Sequence, residues 1–168
     1  MNTPRQTLAL VLFGLCSFAG TATPAVAQDH GARAIEGVWA MSITLRDCAT
    51  QAPLGPPLRT LLTFHAGGTL SESPGTSQFA PGQRSNGHGL WSFARANSFM
   101  ARFVAMVVFD TPPAPPAPGF VAGWQVVEAN FELADVNRSN VSATVQFLDL
   151  NRNVYRSACP TGTAERFE

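Results

Sequence analysis

Hydrophobic residues in this chain recur with a period of two, in short runs set off by glycine, proline, asparagine and aspartate. Side chains of a strand alternate between its two faces, so this pattern predicts strands; the 3.6-residue period of a helix is nearly absent. Glu36–Asp47 alternates through Trp39, Met41, Ile43 and Leu45 and gives a first strand. Leu58–His65 gives a second, stopped by Gly67-Gly68, a hairpin turn where positive φ costs little. Thr69–Ser73 is a short third strand, followed by a loop rich in Ser, Gly, Pro and Asn from Pro74 to Asn86. Gly87–Arg95 and Ser98–Phe109 are the fourth and fifth, the fifth being the most apolar. Trp124–Ala134, Val141–Leu150 and Asn153–Cys159 complete the set, with the last able to run on to Phe167. Turn chemistry fills Asp135–Asn140 and Asn151-Arg152-Asn153. Thr111–Gly119 (TPPAPPAPG) is excluded from a central sheet, because proline has no N–H to donate, and is expected as an extended loop.

Eight strands with mostly short connections predict an all-β fold, an antiparallel meander. Closure into an eight-stranded up-and-down barrel would remove both exposed edges; a Greek-key sandwich is the alternative. One face of the fifth strand reads Phe99, Ala101, Phe103, Ala105, Val107 and Phe109. The sixth gives Val127, Ala129, Phe131 and Leu133, and the seventh Val141, Ala143, Val145 and Phe147. Rows that interleave alanine with aromatics either fill the taper of a small barrel or leave an apolar cavity, and the pattern allows both. Phe64, Trp91, Phe93, Phe103, Phe131 and Phe147 fall on the faces assigned inward. They are ordinary core or the lining of a ligand pocket, with Arg102 or His65 expected near its mouth and the proline-rich loop as flap, partner segment or spacer.

The N-terminus changes the picture of where the domain works. Arg5, the apolar run Leu8–Ala19 and Ala25-Val26-Ala27 have the order of a secretory signal peptide, residues 1–27. The remaining 28–168 then form one exported domain, secreted or periplasmic. No later apolar stretch has membrane-spanning length, so this domain is expected to be soluble. Acidic and basic residues balance at eleven each, and loss of Arg5 leaves one net negative charge. Neither nucleic acid nor a membrane surface is implied by that balance. All eleven basic residues are arginines, a bias we read as compositional. With Cys16 in the signal peptide, Cys48 and Cys159 remain, and an even pair in an exported chain predicts a disulfide. Closing a loop of about 110 residues would contribute roughly 4 kcal/mol through the unfolded chain.

Gly37-Val38-Trp39, preceded by Ile35-Glu36, resembles the G-x-W opening of the lipocalin-like, or calycin, barrels. The resemblance implies that Trp39 plugs the closed end of a barrel and that an arginine near the end of the last strand stacks across it, a cation–π contact. Arg166 is the matching residue, with Arg156 as the weaker choice. If first and last strands pair antiparallel, facing residues share one index sum: Trp39 and Arg166 sum to 205, Cys48 and Cys159 to 207. One register thus nearly serves both contacts, although Pro160 and Gly162 are expected to force a bulge between them. The T-D-Y motif of many lipocalins is missing. The chain thus looks like a divergent bacterial member of that group, and the resemblance names no ligand.

Chemical motifs are sparse. His30, His65 and His88 are the only histidines, and a metal site from the last two would need Glu72 or Asp110 at no recognisable spacing, so no metal site is expected. Glu128, Asn130 and Glu132 share one face of the sixth strand, opposite apolar neighbours, and read as a solvated outer face. There is no G-x-S-x-G elbow, phosphate-binding loop or HExxH, and no cofactor is called for. The favoured function is a binding module for a small hydrophobic molecule. An enzyme of the cyclase or isomerase kind using the same pocket, and a structural or inhibitor-like protein with a filled barrel, stay as alternatives; oligomeric state is left open.

Overall fold

The computed structural model of the protein describes residues 31, 33–75, 78–114 and 118–167. The expected signal peptide (1–27), His30 and the centre of the proline-rich segment lie outside the described residues. Among the described residues, a 3-10 turn, Arg33–Ile35, precedes nine strands: β1 (Gly37–Thr44), β2 (Leu58–Phe64), β3 (Thr69–Gly75), β4 (Gly87–Arg95), β5 (Ser98–Val107), β6 (Gly123–Asp135), β7 (Arg138–Asp149), β8 (Val154–Ala158) and β9 (Thr161–Arg166). From β1 to β8 each strand pairs antiparallel with the next, β7 pairs β9 as well as β8, and β9 pairs back onto β1. The sheet therefore closes on itself.

Nine strands make eight staves, because β8 and β9 are two halves of one. Against β7, Phe147 faces Arg156 on β8, and Ser142 faces Thr161 on β9, in the same unbroken count. The interruption falls at Cys159-Pro160, where proline has no N–H for the ladder. Its carbonyl still accepts from Ala143 N at 2.9 Å, and Cys159 N still donates to Arg46 O at 2.9 Å. The expected bulge is thus absent: the stave breaks without losing register, since only one donor is missing. Trp39 faces Arg166 in the β1–β9 ladder, the pairing that the index sum of 205 describes. The disulfide joins Cys48 to Cys159 across a Cα–Cα distance of 4.9 Å, reaching two positions beyond that register from the turn after β1.

Other boundaries moved for local reasons. β7 begins at Arg138, three residues before Val141, because Val136-Asn137 alone make the turn. Asp135 clamps that turn, accepting from Asn137 N at 2.9 Å and from Arg138 Nε at 2.8 Å. β5 stops at Val107, before Phe109, because the backbone then serves the β3–β4 loop: Val108 N donates to Gln83 O at 2.8 Å.

The alternation of burial along β5 and β7 separates a buried interior from the solvated outside. Trp39, Leu62, Phe64, Phe99 and Phe131 lose essentially all contact with solvent. Each such side chain contributes about 1.5–3 kcal/mol by leaving water, which makes this cluster the main source of cohesion.

Candidate functional site

The barrel has two differently built ends. At the β1 start, Trp39 lies across the interior and donates from Nε1 to Ile35 O at 2.7 Å, so its polar edge is satisfied by the 3-10 turn. Arg166 stacks on this ring, Cζ lying 4.5 Å from the centroid. Its Nη1 donates to Glu36 O at 2.5 Å, Nη2 to Ala34 O at 2.6 Å and Nε to Val136 O at 3.0 Å. Gly37 makes room for this guanidinium: φ is +121°, and a Cβ there would come within 2.8 Å of Arg166 Nη1. The glycine and tryptophan of the opening motif are therefore both explained by one half-buried cation.

The opposite end is closed by loops. The β3–β4 loop lays Phe79 over the interior, stacked on Phe120 with centroids 4.4 Å apart, and Phe120 packs on Phe147 at 5.1 Å. Arginines flank the two stacked rings: Arg84 Cζ lies 5.8 Å from the Phe79 centroid and Arg156 Cζ 5.0 Å from that of Phe120. Gln83, fully buried, clasps the two loops, donating to Phe109 O and Thr111 Oγ1 at 2.9 Å and accepting from Ala80 N at 3.1 Å. Tyr155 Oη pins the second loop through Val121 N and Val121 O. We call this layer the lid.

Beneath the lid is a cavity of about 100 Å³. Met41, Leu62, Phe103, Val127, Phe131 and Phe147 supply much of its apolar wall, with Ala129 and Ala143 leaving space where larger residues would fill it. One side is polar. Glu72 and Arg84 form an ion pair, Nη1 to Oε2 at 2.8 Å, with only 6% and 4% of their side chains exposed. Thr60 Oγ1 donates to Glu72 Oε1 at 2.9 Å, and Arg84 Nε donates to Gln125 Oε1. Gly87 permits the carboxylate to sit there, for a Cβ would come within 2.8 Å of Glu72 Oε2.

The six aromatics assigned inward divide by height along the barrel. Phe103, Phe131 and Phe147 line the cavity. Phe64 and Trp91 lie towards the Trp39 end, edge-on at 6.0 Å, with Phe64 also edge-on to Phe131 at 5.1 Å. Phe93 is 38% exposed at the rim, against Phe99 at 5.5 Å. The two residues expected near the mouth lie elsewhere. Arg102 pairs with Glu128 on the outer face, both about two-thirds exposed, and His65 meets Ser71 Oγ at 3.0 Å in the turn beside the Trp39 end. Arg84 and Arg156 occupy the mouth instead. Glu72 and Gln125 have inward parity on their strands, so a charged residue on an apolar face was a usable signal. Arg84, Phe79 and Phe120 sit in loops without periodicity and gave none.

The fold and site together define a closed eight-stranded antiparallel barrel with one plugged end, one lidded end and a small cavity between them. That architecture is consistent with the calycin barrels. The chain matches no protein-family model and no curated protein.

Proposed function

We propose that the protein is a binding module for one small, mainly apolar molecule, held in the barrel under the Phe79–Phe120 lid. The observation that carries this reading is the cavity itself: about 100 Å³, walled chiefly by hydrocarbon and aromatic side chains. Apolar cavities of comparable size, about 150 Å³, stay dry and take up benzene or xenon. The ligand is therefore of single-ring size when the lid is shut. We further propose that the chain is a divergent lipocalin-like barrel and that it acts after export, secreted or periplasmic. The Cys48–Cys159 disulfide supports an oxidising compartment. The apolar interior supports a soluble rather than a membrane barrel, since channel-type membrane barrels are polar inside.

A second reading, an enzyme of the cyclase or isomerase kind, has one observation in its favour: Glu72 and Arg84 face the same cavity. Native mass spectrometry of the full chain, purified from its export compartment and followed by extraction of anything bound, separates these readings. A defined small adduct supports the binding module. A bound mixture of two isomers, interconverted on incubation with fresh protein, supports the enzyme. A bare mass together with no uptake of xenon would sink both.

A further inference from the structure

We propose that the polar side of the cavity is an acceptor-recognising anchor, and that the ligand is a small neutral ring compound bearing a carbonyl oxygen. This deepens the binding-module reading and rests on it. A guanidinium only donates hydrogen bonds. Arg84 directs Nε to Gln125 Oε1 and Nη1 to Glu72 Oε2 and Ser85 O, while Nη2 donates to none of the described residues. The side chain is nevertheless 4% exposed and lines the cavity. Because Arg84 offers no acceptor, Gln125 must turn Oε1 towards it, and its Nε2 is left with no acceptor among the described residues.

Both oxygens of the carboxylate already accept a hydrogen bond. Glu72 Oε1 is engaged by Thr60 and Oε2 by Arg84 Nη1. The donors on this wall without an acceptor among the described residues are Arg84 Nη2 and Gln125 Nε2. Buried donors gain most from an acceptor that enters with them. Net charge decides which acceptor. Glu72 already neutralises Arg84, so a ligand carboxylate would be placed beside a protein carboxylate, whereas a carbonyl oxygen accepts both donors without that repulsion. The hydrocarbon wall and the volume hold the rest of the molecule to about the size of a five- or six-membered ring.

The test compares cyclopentanone with methylenecyclopentane, which share a ring and differ in the oxygen, by NMR titration of the full-length mature protein, with dissolved xenon as a probe of the cavity. Using the ratio of the two affinities cancels the cost of dehydrating the ketone between variants. Gln125→Leu is expected to lower the ketone-to-hydrocarbon ratio roughly tenfold, the scale of one hydrogen bond. Glu72→Leu with Arg84→Met removes the pair without stranding a charge and is expected to lower the ratio further, while hydrocarbon affinity holds or rises. An unchanged ratio in both variants would overturn the anchor and leave the cavity standing, as would hydrocarbon binding to wild type without ketone binding. Exclusion of xenon and of both compounds from wild type would overturn the cavity reading, and this inference with it.

Discussion

Both ends of this barrel close an aromatic ring with arginine, yet they are built for different tasks. At the Trp39 end the cation comes from a strand, Arg166 on β9, and all three of its nitrogens reach backbone carbonyls. At the lid the rings and one cation come from loops. Arg84 Nη2 donates to none of the described residues, and Arg156 buries Nη1 with no hydrogen-bond partner among them. A fully satisfied polar network rigidifies its surroundings, and a donor left without an acceptor adds nothing to hold its loop in place. The same cation–π contact thus acts as a rivet at one end and as a latch at the other. The difference teaches that the neighbours of a stacked arginine, more than the stack, determine whether an end is permanent.

The largest test of that comparison is Trp39→Ala. It removes a fully buried ring and its stack on Arg166 and opens the plugged end, so a loss of about 3–5 kcal/mol in chemical denaturation is expected. A melting curve that superimposes on wild type would mean Trp39 plugs nothing. Next is the Cys48→Ser, Cys159→Ser double variant. This bridge ties the rim of the lidded end, where the last stave is interrupted, and spans 111 residues of sequence. Its removal should cost about 2–4 kcal/mol, chiefly by freeing the unfolded chain. Should wild type under reducing conditions melt where oxidised wild type does, the disulfide contributes no stability.

These two features were also the most legible in the sequence, for a physical reason. Antiparallel pairing fixes a constant index sum, so residues 127 positions apart in Trp39 and Arg166 were brought face to face by arithmetic. Period-two alternation likewise assigned faces, which is why Phe103, Phe131 and Phe147 point inward as expected. It does not give height along the axis. Phe64, Trp91 and Phe93 sit on inward-reading strands, yet two stack towards the plug and one reaches the rim. Strand tilt and stagger set those heights, and they appear only once the barrel closes. The polar wall was half legible: Glu72 shares a strand face with Leu70, an anomaly that alternation exposes. Arg84 was not legible, because its position follows from a loop that folds back through Gln83.

Gln83→Leu sharpens the contrast at lower cost. It keeps the volume but breaks the clasp to Phe109 O, Thr111 Oγ1 and Ala80 N, with an expected loss of about 1–3 kcal/mol. Hydrogen exchange should quicken at Val108, Thr111 and Phe120, whose amides bond within the lid region, and stay slow at Leu62 and Met41 in the β1–β2 ladder. Equal loss of protection at both ends would break the distinction between rivet and latch, and make the barrel one cooperative unit.

The smallest expected effect is acid dependence, and it too divides between the ends. Asp47 and Asp149 immediately precede turns at the lidded end, and Asp135 precedes the turn beside Arg166. Backbone and then hydroxyl hydrogen bonds from Thr50, with Ala49 N, hold Asp47 below the ordinary carboxylate value. The Asn153 backbone N–H, then its side chain, does the same for Asp149, and the Asn137 N–H followed by the Arg138 side chain for Asp135. A folded-state value below the unfolded one favours folding at every pH above the unfolded value, about 3.9 for aspartate. As pH falls through that point the unfolded chain takes up protons first, and the contribution disappears once pH drops below the folded value. The melting temperature should therefore be level from neutrality down to about pH 4, as far as these groups decide it, and fall below that. None of the three carboxylates is buried, so each share is small. Asp47→Asn should lower the neutral-pH melting temperature slightly and make the acid fall shallower. If that variant falls as steeply as wild type, the Thr50 hydrogen bonds do not couple Asp47 to folding, and the acid sensitivity belongs to the other two turns.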